Sequence, residues 1–546
     1  MSKRIPLVIK NTFNPSFPGT FISDKSDPKG HAVKGISSVN DIALLTMQGS
    51  GMVGVPGIAG RLFSTLARAD INIILITQGS SEHSISFAIL PILALKAKRK
   101  VEEAFEYEMQ MGLVDPVRIE ENLSVIAAIG ENMRYRPGIS GRLFQALGTN
   151  GINAVAIAQG SSERNISVVI NGSDEAKALN ALHEAFFLSD TKELHIFMVG
   201  VGLIGSTLIK QIKGQSAYLK EKRALEIKVI GLANTKKMLF NEHGIPLEGW
   251  RDQLDRSDTA MNIGEFIQRM KDMNLSNTIF VDNTADEIIS DYYESILDSS
   301  ISISTPNKIA TSSAYLKYQR LKSIAAKRGV QFMYETNVGA GLPVISTLND
   351  LILSGDRILK IEGVLSGSLS YIFNTFSAET PFSQVVRQAR KRGYTEPDPR
   401  VDLNGIDVRR KLIILARETG LSLEASEVHI DNILPDDCQQ AKTVDAFFEA
   451  IKKTDDQFEE RRREAEAAGH RLRYIARLVE GRASISLDPV GPDNPFYALS
   501  GSDNMIVFTT ERYKDRPLVV RGPGAGAEVT AAGVFSEIIT IGNYLS

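Results

Sequence analysis

Apolar residues along this chain fall into two rhythms, and the order in which they alternate marks out its parts. Short runs of valine, isoleucine and leucine bounded by glycine, asparagine and aspartate predict strands. Stretches in which apolar positions recur every three or four residues predict helices. Leu7-Val8-Ile9 predicts a first strand, with a turn over 11–19 and an aspartate- and lysine-rich connector over 23–34. Two similar blocks follow, each reading as strand (42–47; 124–129), glycine-rich loop, helix, strand (71–77; 152–158), loop, strand (84–90; 165–170) and helix. A buried strand at 194–199, a glycine-rich turn and a helix from 206 to about 213 open a third region, with further strands at 227–232, 279–281 and 300–304. In the fourth region a glycine- and proline-rich loop turns helical at Gly405, with Val408, Leu412, Leu415 and Ala416 at i, i+4, i+7 and i+8. Residues 454–472 mix acids and arginines at helical spacing, the pattern of a solvated helix face rather than a nucleic-acid site.

The two similar blocks are an internal repeat. Val55-Pro56-Gly57-Ile58-Ala59-Gly60-Arg61-Leu62-Phe63 recurs as Arg136-Pro137-Gly138-Ile139-Ser140-Gly141-Arg142-Leu143-Phe144. Ile76-Thr77-Gln78-Gly79-Ser80-Ser81-Glu82 recurs as Ile157-Ala158-Gln159-Gly160-Ser161-Ser162-Glu163, at the same offset of 81 (57 to 138, 61 to 142, 78 to 159). Glycines at these places let a ligand approach the backbone and leave N–H groups available to a carboxylate. Gln78 and Gln159 each end a strand and are placed to bind the polar group of an amino acid. The competing reading is a repeat used only for dimerisation.

Composition narrows the classes. At 546 residues the chain has room for about three to five structural units. A hydrophobic fraction of 43% and a charged fraction of 23% are those of an ordinary globular protein. A net charge of −3 gives no electrostatic reason to expect nucleic acid. No apolar run approaches a membrane span, and residues 1–6 lack the apolar core of a signal peptide, so cytoplasmic placement is the expectation. The single cysteine, Cys438, excludes an internal disulfide and a cysteine metal cluster, and His429 and His470 lie in no ligand-spaced group.

Chemistry concentrates in two places. Gly200-Val201-Gly202-Leu203-Ile204-Gly205 stands between a predicted strand and a predicted helix, the context in which GxGxxG binds a dinucleotide. The next strand ends in Ala233-Asn234-Thr235-Lys236-Lys237 rather than in an acid, and an amide, a hydroxyl and two cations suit a 2′-phosphate, so NADP is read ahead of NAD. Further strands end in Asp282-Asn283-Thr284 and Thr305-Pro306-Asn307-Lys308, converging over the nicotinamide half of such a site. The second place is 393–411, which holds Glu396, Asp398, Asp402, Asp407 and Lys411. Lys411 falls beside the apolar stripe one turn after Asp407, the partly desolvated setting that a proton-transferring lysine needs. A charged loop capping an ordinary helix is the bland alternative.

With these motifs quoted, two resemblances stand out. The Pro-Gly-Ile-x-Gly-Arg-Leu-Phe and Gln-Gly-Ser-Ser-Glu signatures resemble the paired ACT domains of aspartokinases. Residues 194–546 resemble homoserine dehydrogenases in family order, through Gly200 to Gly205, Thr305 to Lys308, Glu335-Thr336-Asn337-Val338-Gly339-Ala340-Gly341-Leu342-Pro343, the 393–411 stretch, Arg521-Gly522-Pro523-Gly524-Ala525-Gly526 and Val529 to Val534. The chain as a whole is similar to the C-terminal two-thirds of bifunctional aspartokinase–homoserine dehydrogenases.

The resemblance implies an α/β and α+β multidomain protein: an aspartokinase-like remnant and connector (1–38), βαββαβ ACT domains (39–120 and 121–190), a Rossmann-type domain (194–335), an α+β catalytic and dimerisation domain (336–520) and a C-terminal helix returning to the nucleotide domain (521–546). It implies reduction of aspartate 4-semialdehyde to homoserine with a nicotinamide cofactor. By position it makes Lys411 the acid/base and Lys308 a second active-site lysine, with Glu396 and Asp407 holding the substrate's amino group. Gly200, Gly202, Leu203, Ile204, Gly205, Asn234, Thr284, Lys308, Gly393 and Gly524 fall at the cofactor. The Glu335 carboxylate and the carbonyls of Val338, Ala340 and Leu342 fall at a monovalent-cation site, sodium in this family. Oxygen ligands on a tight glycine-rich turn suit such a hard cation. Threonine is the implied effector, through Gln78 and Gln159, and a dimer or tetramer the implied assembly. No kinase segment precedes the repeat, so no aspartokinase activity is expected and the chain reads as a truncated or split form. The alternative from another class is an amino-acid-sensing subunit that associates with a separate aspartokinase. A phosphorylating semialdehyde dehydrogenase would need a nucleophilic cysteine, and Cys438 lies outside every motif.

Overall fold

A computed structural model describes residues 7–10, 19–22, 32–131, 133, 136–160, 164–187 and 192–544. The chain divides into two compact units, Met1–Asp190 and Thr191–Ser546. In the first, Leu7–Ile9 pairs antiparallel with Thr20–Ile22. Most of the turn expected over 11–19 and of the connector over 23–34 lies outside the described residues.

The repeat forms one antiparallel six-stranded sheet in the order Leu75–Gln78, Ser84–Ile89, Gly35–Gln48, Arg118–Ile129, Asn165–Asn171, Ala156–Gln159. Its register carries the 81-residue offset into space. Ile42 faces Leu123, its own counterpart, while Val39 faces Val125 and Leu44 faces Glu120, which are each other's counterparts. The two central strands therefore cross on a pseudo-twofold axis. Asp41 and Asn122, equivalent in the repeat, both take left-handed backbone (φ 51° and 58°) where the ladder shifts register. Such a bulge re-aims the strand. Residues 35–39 thereby lie beside 125–129, so the second block takes its last strand from the segment ahead of the first.

Alternate residues go to opposite faces, as the period of two requires. Ala43, Leu45, Met47 and Phe87 lie in one core with Leu62, Leu66 and Val101 of helices Ile58–Arg68 and Ala94–Ala104. Ile126, Ala128, Val168 and Ile170 lie in another with Leu143, Leu147 and Leu182 of helices Ile139–Thr149 and Glu175–Phe186. The strands expected at 71–77 and 152–158 begin only at Leu75 and Ala156. Ile71 and Ile152 are buried in the preceding loops, where they imitate a strand's apolar rhythm without pairing.

The second unit contains two sheets. The nucleotide-type sheet runs Met238–Phe240, Leu225–Ala233, Lys192–Val199, Thr278–Asp282, Ser302–Ser304, Phe332–Met333, all parallel except the first strand. The inner strand Thr278–Asp282 is buried along its whole length because both faces are covered. The helix expected to end near 213 runs Leu203–Arg223. Its second half has few apolar positions beyond Leu219, so the periodicity fades there. Lys220, Lys222 and Arg223 instead complement the dipole of the last turn. The C-terminal helix Ala527–Tyr544 places Ala531, Val534, Ile538 and Ile541 in one core with Leu194, Ile196 and Leu225 of this sheet.

The other sheet has the order His429–Ile430, Arg482–Val490, Arg471–Val479, Ile358–Val364, Asp503–Thr510, Leu518–Pro523. Helix Ile406–Glu418 buries Val408, Leu412, Leu415 and Ala416 together with Ile413 and Ile414. At roughly 1.5–3 kcal/mol for each large apolar side chain buried, packing rather than intrinsic propensity fixes this helix.

Candidate active site

The site is built around Asp407. Left-handed Gly405 (φ 72°) opens helix Ile406–Glu418, which puts Asp407 and Lys411 one turn apart on the same face. Lys411 Nζ donates to Asp407 Oδ2 at 2.7 Å and to the Leu365 carbonyl at 2.7 Å. Lys308 stands just ahead of the short helix Ile309–Ser312, and its Nζ lies 3.5 Å from Asp407 Oδ1. Lys411 is 7% exposed and Lys308 mostly buried. Burial alone would push the Asp407 carboxyl up, but the two ammonium groups outweigh it and hold it below the usual aspartate range. Burial pulls the Lys308 ammonium down, and the positive charges of Lys411 and Arg410 add to this against the attraction of Asp407.

Expected as a loop, 393–404 contains a short helix, Arg400–Leu403. Asp402 accepts the Glu396 N–H at 2.9 Å and the Ser368 hydroxyl at 2.7 Å, closing the loop onto helix Gly367–Thr375. Tyr394 stacks on Tyr371 of the same helix, 4.1 Å between ring centroids. Asp398 is held by the Arg400 guanidinium at 2.5 Å. Burial pushes the Asp402 carboxyl up, and the neighbouring Glu396 and Asp407 carboxylates add to the push. Asp402, Glu396 and Asp407 therefore share one acidic neighbourhood. Glu396 itself is exposed, with its carboxylate available to a cation. Gly393 (φ 74°) turns the chain out of helix Phe382–Lys391, and no hydrogen bond links it to the lysine cluster. Gly524 lies flat against Asn504, whose amide donates to the same Leu365 carbonyl at 3.1 Å.

The glycine turn has the shape that its sequence requires. A Cβ on Gly205 would sit 2.3 Å from the Gly200 carbonyl, and one on Gly200 (φ 81°) 2.7 Å from Thr284. A Cβ on Gly202 would meet nothing within 4 Å, so the space above it is open. Helix Leu203–Arg223 has no side-chain cap, and Leu203 is 74% exposed while Ile204 packs inward. Beside the turn is a cleft of about 540 Å³ lined by Gly200, Asn234, Thr235, Thr284 and Asp286. Both side-chain polar atoms of Asn283 are buried without a partner among the described residues, next to Gly200 and Gly205. An open helix N-terminus, an uncapped glycine and an orphaned amide fit a pyrophosphate. Of the two cations read for a 2′-phosphate, Lys237 turns away to the Ser257 carbonyl, while Thr235 and Lys236 stay exposed. The Asn234 side-chain Oδ1 serves its own turn, accepting from the N–H groups of Lys236 and Lys237.

Two buried networks that sequence reasoning missed hold the lysines in place. Asp282 accepts from Tyr293 (2.6 Å), Thr284 (2.6 Å) and Asn307 (3.1 Å), fixing the 305–308 loop. Arg417, on the helix of Lys411, donates to the carbonyls of Thr311 (2.8 Å) and Ser313 (2.6 Å), just after Lys308.

The Glu335 carboxylate accepts the N–H groups of Val344, Ile345 and Ser346 at 2.6–2.8 Å and so also serves the N-terminus of helix Ile345–Leu353. Burial, the largest influence, still pushes it up. The Val338 and Ala340 carbonyls belong to almost fully buried residues on a tight turn (Gly339 φ 80°, Ala340 φ 53°). They receive no backbone hydrogen bond among the described residues, which fits a cation held by carbonyls.

In the first unit, Gln78 lines a pocket of about 320 Å³ with Gly54, Val55, Gly57 and Glu82. Gln159 lines one of about 430 Å³ with Arg136, Gly138, Ser140 and Gly141. Ser161, Ser162 and Glu163 of the second signature lie outside the described residues.

A parallel sheet with a glycine turn, ending beside a lysine–aspartate–lysine cluster, defines a nucleotide-dependent oxidoreductase, which here carries the repeated unit ahead of it in the chain. Family profiles assign the parts: an ACT domain at 45–105 and 126–186, a homoserine dehydrogenase NAD-binding domain at 200–335 and homoserine dehydrogenase at 343–539. The chain belongs to the homoserine dehydrogenase family.

It is 38% identical over 358 residues to homoserine dehydrogenase of Schizosaccharomyces pombe, covering 64% of this chain and 95% of that protein. It is 43% identical over 555 residues to a chloroplastic bifunctional aspartokinase/homoserine dehydrogenase of Arabidopsis thaliana, covering 100% of this chain and 61% of that protein. The chain thus spans about three-fifths of the length of the bifunctional plant relatives it matches. Among solved structures, a Candida auris protein of unknown function aligns with TM-score 0.60 at 36% identity, over 65% of this chain and 99% of that one. A hyperthermophilic archaeal homoserine dehydrogenase in complex with NADPH shares the fold (TM-score 0.50, 22% identity, 64% and 98% coverage). Among the described residues no helix is long and apolar enough to cross a membrane.

Proposed function

We propose that this chain reduces L-aspartate 4-semialdehyde to L-homoserine with NADPH and that threonine regulates it through the repeat. The observation that carries the reading is the Lys308–Asp407–Lys411 cluster, with Asp407 within 3.5 Å of both ammonium groups. A lysine ammonium has three N–H bonds. Asp407 and Leu365 take two of those on Lys411, leaving the third for the substrate's carbonyl oxygen. Lys411 donates its proton to the alkoxide as it forms, and cationic Lys308 favours the growing negative charge. In the reverse direction neutral Lys411 withdraws the hydroxyl proton. Glu396 and Asp407 hold the substrate's ammonium group, which turns the aldehyde end toward the lysines.

Gly200, Gly202, Leu203, Ile204 and Gly205 would seat the cofactor's pyrophosphate, Asn234, Thr235 and Lys236 its adenosine phosphate, and Thr284, Lys308, Gly393 and Gly524 its nicotinamide half. When bound, the nicotinamide supplies the hydride. NADPH is present in the archaeal homoserine dehydrogenase that shares this fold. The Glu335 carboxylate and the carbonyls of Val338, Ala340 and Leu342 would hold a monovalent cation, sodium on the family resemblance. The protein works as a homo-oligomer. The deciding test is oxidation of NADPH by purified protein supplied with aspartate semialdehyde, with and without threonine. No turnover under conditions that suit the Schizosaccharomyces enzyme overturns the reading.

A further inference from the structure

We propose that Asn504 is the positioning residue for Lys411, acting through the Leu365 carbonyl that the two side chains share. Leu365 lies between the end of strand Ile358–Val364 and Ser366, whose hydroxyl caps helix Gly367–Thr375. Its carbonyl accepts Lys411 Nζ at 2.7 Å and Asn504 Nδ2 at 3.1 Å. Asn504 is 0% exposed, on the strand paired with Ile358–Val364, and it stands one residue before the partner of Val364. The chemistry fixes its amide orientation, because a carbonyl only accepts and the nitrogen must therefore face Leu365.

Asn504 is costly to keep. Its Oδ1 is buried without a partner among the described residues, a penalty that an apolar side chain of similar size would avoid. Gly524 must stay bare to make room, since a Cβ there would fall 2.0 Å from the Asn504 Cγ and Nδ2. Two features are thus arranged around one donated hydrogen bond. That bond does two things for Lys411. It anchors the carbonyl, so that the ammonium stays at one height above Asp407. It also occupies one of the carbonyl's two lone pairs and leaves the other, in a fixed direction, for the ammonium. Asn504 therefore keeps Lys411 aimed.

The placement of Lys411 stands on geometry alone, and its link to turnover rests on the proposed reduction. The test uses the full chain with Asn504→Leu, which keeps the branching at Cγ and removes the donor. Lys411 acylation by an amine reagent, followed over time by mass spectrometry and without substrate, should change its rate profile by about threefold or more once the carbonyl is no longer anchored. In turnover, kcat should fall about 10- to 100-fold and the isotope effect from deuterated nicotinamide should rise, while cofactor affinity by fluorescence titration stays within about threefold. An unchanged Lys411 profile in folded protein overturns the proposal. So does a loss of cofactor affinity that matches the loss of activity, since it would place Asn504 at the cofactor.

Asn504→Asp covers the case in which the leucine variant does not fold. Protonated, it can donate to Leu365; ionised, it cannot. Its activity should therefore fall as pH rises through a titration that the unaltered protein lacks, and a profile identical to that of the unaltered protein overturns the proposal. If the unaltered protein does not reduce aspartate semialdehyde, the functional reading fails, while the substrate-free Lys411 profile still decides the role of Asn504.

Discussion

Lys308 faces Asp407 at 3.5 Å, across the join between the nucleotide sheet and the catalytic helix. One carboxylate thus serves a cation from each half of the site, and the other oxygen of Asp407 holds Lys411 at 2.7 Å. The arrangement sets two ammonium groups beside one carboxylate, and without that counter-ion the Lys308 ammonium would tend to lose its proton.

Asp407→Asn should therefore act on both lysines. With the attractive carboxylate gone, burial and the charge of Lys411 pull the Lys308 ammonium further below its ordinary 10.5. Reduction requires cationic lysine, present below its pKa and lost above it, so the alkaline limb of kcat/KM should move to lower pH. Turnover at neutral pH should fall about 100-fold or more. An alkaline limb that stays in place would detach Asp407 from the lysines. A second sign follows from Asp407 itself. Its folded carboxyl is held below 3.8, so its contribution to stability is complete above that pH and lost as the pH falls through the lower folded value. The asparagine variant should show a shallower acid unfolding curve below pH 4.

Lys411→Ala separates chemistry from binding. It should lower kcat about 10²- to 10⁴-fold and leave NADPH affinity nearly unchanged, because Lys411 contacts Asp407 and Leu365 rather than the glycine turn. Equal losses in both measurements would argue that Lys411 belongs to the cofactor site.

Two glycines of one motif should respond differently. Gly205→Ala drives a methyl to within 2.3 Å of the Gly200 carbonyl, so it should destabilise the fold by about 1–3 kcal/mol. Gly202→Ala meets only open space. Its melting temperature should match that of the unaltered protein while its affinity for NADPH falls about tenfold or more, since the methyl occupies the path of the pyrophosphate. Unchanged affinity in Gly202→Ala would move the pyrophosphate elsewhere.

Cation binding at the Glu335 turn can be tested through stability. Glu335→Gln should cost about 1–2 kcal/mol of stability by weakening the anion at the start of helix Ile345–Leu353. If the carboxylate and the turn carbonyls hold the ion together, replacing choline by sodium should raise the melting temperature of the unaltered protein by more than that of Glu335→Gln. An equal sodium effect in both proteins would take the carboxylate out of the ligand set.

These tests also show which parts of the site were legible in the chain. Asp407 and Lys411 were legible because their spacing on a helix puts them on one face, and the glycine turn because Gly200 and Gly205 each have a local steric reason while Gly202 faces open space. The 81-residue repeat announced the pairing of two sheet halves, although the loan of residues 35–39 to the second half depends on register, which spacing does not specify. Other features depend on groups distant in the chain. Asn504 reaches a carbonyl 139 residues away, and Arg417 one 106 away. Neither residue sits in a motif. The family resemblance makes Glu335 a ligand, while its contacts with the start of helix Ile345–Leu353 were not legible, because spacing does not show that a helix N-terminus folds back onto its carboxylate.

The repeat leads to the last prediction, because its two pockets are equivalent in the chain but differ in charge. Position 55 is valine in the first and its counterpart, position 136, is arginine in the second, where it lines the pocket with Gln159. In the first, Glu82 Oε2 accepts the Gly54 N–H at 2.9 Å, so one of the amides suited to an amino acid's carboxylate is already occupied. A ligand entering there must displace Glu82, whereas in the second pocket Arg136 attracts the same carboxylate. Calorimetric titration with threonine should therefore show a tighter site that depends on Gln159 and Arg136 and a weaker one that depends on Gln78. Arg136→Val should weaken the first of these about 10- to 100-fold, the equivalent of one lost charge-assisted hydrogen bond. Glu82→Ala should strengthen the second by freeing the Gly54 amide. Two sites of equal affinity, each indifferent to Arg136 and Glu82, would mean that the carboxylate is recognised elsewhere in the repeat.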